Sequence, residues 1–154
     1  MTLYKFRLAP ASQLLEDAEV VDRLRYGWDY LEQTISLWRL VDRARADALS
    51  EFIERVSNAG DGPICFSGDD LVTLTHMIAG VEDAIRTAGI IDRHGRVPPE
   101  RLAELKRLVP AMDLETERTL EDKTNALLEV IGNADGLHGF LFEALRDGCV
   151  VVNN

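Results

Sequence analysis

From Trp28 to Val56 the chain carries neither glycine nor proline, and Trp28, Leu31, Ile35, Trp38, Val41, Ala44, Ala48, Phe52 and Val56 recur there at spacings of three and four. That spacing gathers apolar side chains on one face of an α-helix, and an unbroken helix of this length runs about 40 Å. Leu37 and Leu40 widen the stripe near its middle, so the helix is expected to be packed on more than one side and to form the spine of the fold. A chain of 154 residues, 46% apolar and 29% charged, can close a single core around such a spine. No internal repeat or Pro/Ser-rich linker divides it, and residues 1–154 read as one helical domain.

The flanking segments supply the remaining elements. Tyr4, Phe6 and Leu8 alternate with Lys5 and Arg7, the period of a half-buried strand. Pro10 ends that strand, Ser12 is placed to cap a helix bearing Leu14, Leu15, Ala18, Val21 and Leu24, and Gly27 closes or bends it. After the spine, Asn58 to Gly62 form a turn and Pro63 to Phe66 a brief strand. Ser67 and Asp70 resemble a capping box ahead of Leu71, Leu74, Ile78, Val81 and Ile85, which predict a second long helix ending near Gly89.

Pro98 and Pro99 can open a short helix with Leu102, Leu105 and Val109 on its face, because proline at the first helical position loses no intrahelical bond. Pro110 ends it, and Asp113 is placed to cap a helix through Leu120, Leu127 and Ile131 to Gly132 and Asn133. A last short helix is predicted over Leu137 to Arg146, followed by the strand-favouring run Cys149 to Val152. A lone strand cannot satisfy its backbone, so the two terminal strands are expected to pair, with residues 64 to 66 as a third. The predicted fold class is therefore mainly α: an irregular bundle of five to six helices around one long central helix, with a minimal β-sheet pairing the N- and C-terminal strands.

The net charge of −10 comes from 27 acidic against 17 basic residues, a balance that repels phosphate backbones and anionic lipid heads. Direct nucleic-acid and membrane-surface binding are disfavoured. The apolar runs are far shorter than the roughly 20 residues a membrane span requires, and Met1 to Pro10 lacks the pattern of a secretory signal, so a soluble, cytoplasmic protein is expected. In such a compartment Cys65 and Cys149 are expected to be reduced, buried thiols.

Known chemistries find little purchase. Gly60, Gly62 and Gly68 surround a strand before a helix, yet no lysine follows to reach a phosphate, and Asp61, Asp69 and Asp70 would repel one. No Glu-x-x-His unit exists, so a di-iron bundle has no ligands. Asp135 and His138 stand three apart, but Asp135 reads as the cap of the last helix rather than as a metal ligand. No catalytic residue and no cofactor is called for.

The charge pattern favours a non-catalytic acidic protein-binding module, of inhibitor or immunity type, that neutralises a basic protein partner. Its docking residues would be Asp69, Asp70, Glu82 and Asp83 in one acidic segment and Glu115, Glu117, Glu121 and Asp122 in another, with a basic stretch between them. The alternative is a small-ligand protein or enzyme built on the polar face of the second long helix, where Thr73, His76 and Asp83 share a side, with Arg93 or Arg96 supplying a cation. That face has a plainer reading, as solvated surface. Self-association through an exposed stripe of the long helix is compatible with either.

Overall fold

The computed structural model describes residues 1–7, 18–108 and 120–153. In chain order the elements are β1 (Leu3–Arg7), β2 (Glu19–Leu24), α1 (Gly27–Val41), α2 (Arg43–Ser57), β3 (Ile64–Phe66), α3 (Gly68–Ile78), α4 (Val81–Thr87), α5 (Pro99–Leu108), α6 (Leu120–Arg146) and β4 (Val150–Asn153). The fold is mainly α, and its four strands form one antiparallel sheet in the order β2-β1-β4-β3. β1 and β4 are neighbours, with Leu3 opposite Asn153 and Phe6 opposite Val150, and β3 lies on the far side of β4.

The stretch expected to be one spine is two helices. It breaks at Asp42, whose backbone leaves the helical region (φ −148°, ψ 87°) while its carboxylate accepts the Arg45 N–H at 3.0 Å. A short acidic side chain can satisfy a free amide at a new helix start, so the chain turns here without glycine or proline. The second long helix also divides, at Gly80, which takes a left-handed conformation (φ 78°) between α3 and α4. The two breaks are tied together. Arg45 donates from Nε to Met77 O at 3.0 Å and from Nη2 to His76 O at 2.7 Å and Ala79 O at 3.0 Å, covering carbonyls that the end of α3 leaves open.

The longest helix is instead α6, 27 residues or about 40 Å. It runs through Gly132, Gly136 and Gly139, where the sequence predicts a stop and a separate final helix. Leu127, Val130, Ile131, Ala134, Leu137, Leu141 and Ala144 form one buried stripe along it, and burial of that stripe outweighs the weak helix preference of three glycines. Asn133, predicted to lie in the stop, donates to Gln33 Oε1 on α1 at 3.0 Å. α1 and α6 pack along each other and with α2, α3 and α4 enclose the core, of which Leu31, Leu37, Leu49, Leu71, Leu74 and Leu137 are fully buried members.

The N-terminal region differs in two ways from the sequence expectation. Val21 and Leu24, assigned to a helix, lie in β2, Ala18 precedes that strand outside any helix, and Leu8 to Asp17 lie outside the described residues. In β1 the deeply buried face carries Leu3 and Lys5, whereas Tyr4 and Phe6 are half-buried. Lys5 can be buried because its ammonium lies 3.1 Å from Glu143 and 3.7 Å from Asp22 and 5.0 Å from the centroid of the Phe140 ring. Gly27 opens α1 rather than closing an earlier helix; a Cβ there would stand 2.8 Å from the Leu3 side chain.

Candidate functional site

Carboxylates are favoured in the first turn of a helix, where free amides and the helix dipole stabilise negative charge. Asp69 and Asp70 occupy that turn of α3, and Glu82 and Asp83 that of α4. Their surroundings sort them. Asp70 is paired with Arg55 at 3.1 Å and Glu82 with Arg86 at 2.8 Å, so both are partly neutralised within the chain. Asp69 and Asp83 are exposed and form no ion pair among the described residues. Glu115 and Glu117 lie outside the described residues, and Glu121 and Asp122 fall in the first turn of α6.

The continuity of α6 adds residues that the sequence reading assigned elsewhere. Asp135 is not a helix cap but a mid-helix residue beside Glu82. Its carboxyl is pushed above the usual range by burial first, then by the hydrogen bond and charge of Glu82, with the nearby Asp83 adding and His138 opposing. Glu82 is held below its usual range, chiefly by the Arg86 hydrogen bond and next by that of Asp135. The two directions belong to one coupled pair, in which a proton is favoured on Asp135 over Glu82. One helical turn on, the ring of His138 lies 6.3 Å from that of Phe142, which is 55% exposed.

α3 and α6 run antiparallel, as the topology requires. α3 starts just after β3, which neighbours β4, and β4 follows the end of α6. The other end of α3 leads through Gly80 to Glu82, beside Asp135. Val72, four residues into α3, thus stands at the height of Phe142, four residues before the end of α6, and both are exposed apolar side chains on helices that pack together. α3 and α6 thus each carry one exposed apolar side chain, and the start of α4 brings Glu82 and Asp83 near Asp135 of α6.

The structure does not keep the residues of the alternative reading on one helix. The single helical side expected for Thr73, His76 and Asp83 is interrupted at Gly80. His76 is exposed, and its main-chain carbonyl is taken by Arg45. Arg93 and Arg96 are exposed in a turn organised by Asp92, whose Oδ1 accepts from the backbone N–H of His94 at 2.7 Å and of Arg96 at 2.9 Å. Neither of the two described clefts is lined by Thr73, His76, Asp83, Arg93 or Arg96. Among the described residues no group of three or more His, Cys, Asp or Glu is arranged to hold a metal ion.

Of the two clefts, the smaller, about 260 Å³, includes Cys65, whose thiol is pushed up by burial and so kept protonated. The larger, about 440 Å³, lies where the α1–α2 break meets the Gly80 corner, and its wall includes Trp38 and Arg45. Both cysteines are free thiols. Among the described residues no helix is long and apolar enough to cross a membrane. In comparisons with known proteins, the chain matches no family model, no curated protein and no solved structure.

Proposed function

We propose that this chain is a non-catalytic acidic protein-binding module that docks onto a basic protein partner through the face shared by α3, α4 and α6, in the manner of an inhibitor or immunity-type protein. The observation that carries the reading is Phe142, a large aromatic side chain left 55% exposed on the helix that also carries Asp135. An exposed aromatic anchor supplies affinity at many interface hot spots, and a surface of opposite charge steers encounter with a basic partner. Asp69 and Asp83, without cation partners among the described residues, leave negative charge for an incoming lysine or arginine to answer. Asp70 and Glu82 belong to the same face but already answer Arg55 and Arg86.

The test is affinity capture from the native cells at low ionic strength, with wild type compared to Phe142→Ser and to a double variant Asp69→Lys/Asp83→Lys. A basic protein should be captured by wild type, released by raised salt and lost from both variants, whose circular dichroism should match wild type. Identical capture by all three proteins would refute the docking face, and absence of any basic protein from the wild-type eluate would refute the partner class.

A further inference from the structure

β3 is an edge of the sheet. It pairs only with β4, and among the described residues Ile64, Cys65 and Phe66 make no other main-chain hydrogen bond. Main-chain groups alternate in direction along a strand, so those pointing away from β4 are open to a further strand. The smaller cleft lies against this edge. Ile64 and Cys65 both line it, although neighbouring side chains of a strand point to opposite faces of the sheet. With β4 on one side of β3, a space that meets both residues lies along the other. Ala59, Gly60 and Gly62 of the turn after α2 also line the cleft and add no side chain larger than a methyl. The edge is reachable, because Ile64 and Cys65 are partly exposed and Gly60 to Pro63 are exposed.

The charge around this edge is of one sign. From Val56 to Thr75 the chain carries Asp61, Asp69 and Asp70 but no lysine or arginine. Arg55 answers Asp70 at 3.1 Å, whereas Asp61 and Asp69, both exposed, make no ion pair among the described residues. One stands three residues before Ile64 and the other three after Phe66, so each end of the open edge carries an unanswered carboxylate. We propose that β3 accepts, as a further strand, an extended segment of the basic protein partner in which lysine or arginine flanks a short apolar run, a mode of contact that rests on the basic-partner reading above. Main-chain hydrogen bonds supply affinity, alternate side chains of the segment enter the cleft beside Ala59 and Ile64, and the flanking cations meet Asp61 and Asp69. With a carboxylate at both ends, the charges are answered whichever way the segment runs. The opposite edge, β2, is poorly suited to such an addition, because its pairing slips register between Lys5 and Phe6 and a bulge twists an edge away from new partners.

Titration of the ¹⁵N-labelled chain with the end-blocked peptide Lys-Val-Thr-Val-Lys tests the edge without the partner. The amide signals of Ile64, Cys65 and Phe66 should move saturably. The same peptide N-methylated along its backbone, which cannot donate to a strand, and Glu-Val-Thr-Val-Glu, of opposite charge, should bind several-fold more weakly. A Cβ at Gly62 meets no atom within 4 Å, so Gly62→Arg is tolerated and sets a cation at the cleft; it should abolish the movement while the rest of the spectrum stays folded. No saturable movement at β3, or undiminished binding by the N-methylated peptide or to Gly62→Arg, would overturn the strand addition. Equal binding of the acidic peptide would overturn the charge assignment. In the capture experiment, Gly62→Arg should lose the basic protein as Phe142→Ser does. A partner kept by Gly62→Arg but lost from Phe142→Ser would overturn the edge and leave the docking face standing, whereas absence of any captured basic protein would overturn the partner reading, with the edge still decided by the peptide.

Discussion

Lys5 offers the most quantitative test of how the sheet is joined to the helices. Its side chain is 3% exposed, whereas its partners Glu143 and Asp22 are 50% and 53% exposed, so removing the ammonium strands no buried charge. Lys5→Ala deletes three buried methylenes at about 0.8 kcal/mol each, for an expected loss of about 2–3 kcal/mol. Lys5→Met keeps the stem and exchanges a desolvated charge for a thioether against Phe140, and should lie within about 1 kcal/mol of wild type. Glu143→Gln leaves the ammonium buried with only Asp22 at 3.7 Å and should cost about 1–3 kcal/mol. The double variant Lys5→Met/Glu143→Gln should therefore be more stable than Glu143→Gln alone, a non-additivity that urea unfolding with unchanged m-values would resolve. If Lys5→Met were as damaging as Lys5→Ala, the ion pairs rather than the stem would hold β1 to α6, and the packing argument would be wrong.

Three further substitutions probe other joints of the fold. Asp135→Asn should stabilise the protein by up to about 1 kcal/mol near neutral pH, since a raised folded-state pKa favours the native state below the unfolded value of about 3.9 and that advantage is lost as pH rises through the folded pKa. The gain should shrink toward zero by about pH 3, where Asp135 is mostly protonated in the folded and the unfolded chain alike, and chemical denaturation at the two pH values measures it. Gly27→Ala forces a methyl to within 2.8 Å of Leu3, a side chain only 1% exposed, and should lower stability by about 1–3 kcal/mol in a thermal melt despite alanine's better helix propensity. Asp42→Ala removes the carboxylate that accepts the Arg45 amide and should lose about 1 kcal/mol in the same measurement; an unchanged melt would mean that Arg45 alone holds the α1–α2 break.

How far the fold is legible in the sequence depends on where local preference and tertiary packing agree. They agree in the apolar stripes of α1, α2 and α3, in the brief β3 after the Asn58–Gly62 turn, and in the valine run of β4. They part at Asp42, where the stripe continues in register through a residue whose side chain competes for a backbone amide. They part again at Gly132, where glycine reads locally as a stop but Ala134 carries the buried stripe onward. Val20 to Leu24 show the reverse case: apolar residues that a helix could carry pair instead with β1, because that strand needs a second neighbour.

The misread breaks and continuations of the helices decide much of what could be foreseen of each site. The acidic segments were legible as charge, but whether a carboxylate is free depends on a cation brought from elsewhere in the chain: Arg55 reaches Asp70 across fifteen positions, and no pattern in the sequence marks Asp69 as the one left over. Asp135, His138 and Phe142 stand on one outer edge only because α6 does not stop at Gly132; followed through Ala134, the stripe places them at spacings of three and four on that edge. The larger cleft was illegible for a related reason. It exists because one helix breaks at an aspartate and another at a glycine, and Arg45 of the first break reaches the carbonyls of the second over thirty-one to thirty-four positions. A straight helix at either place would close the space and leave Arg45 in solvent. The break at Asp42 is therefore the structural condition for the cleft itself.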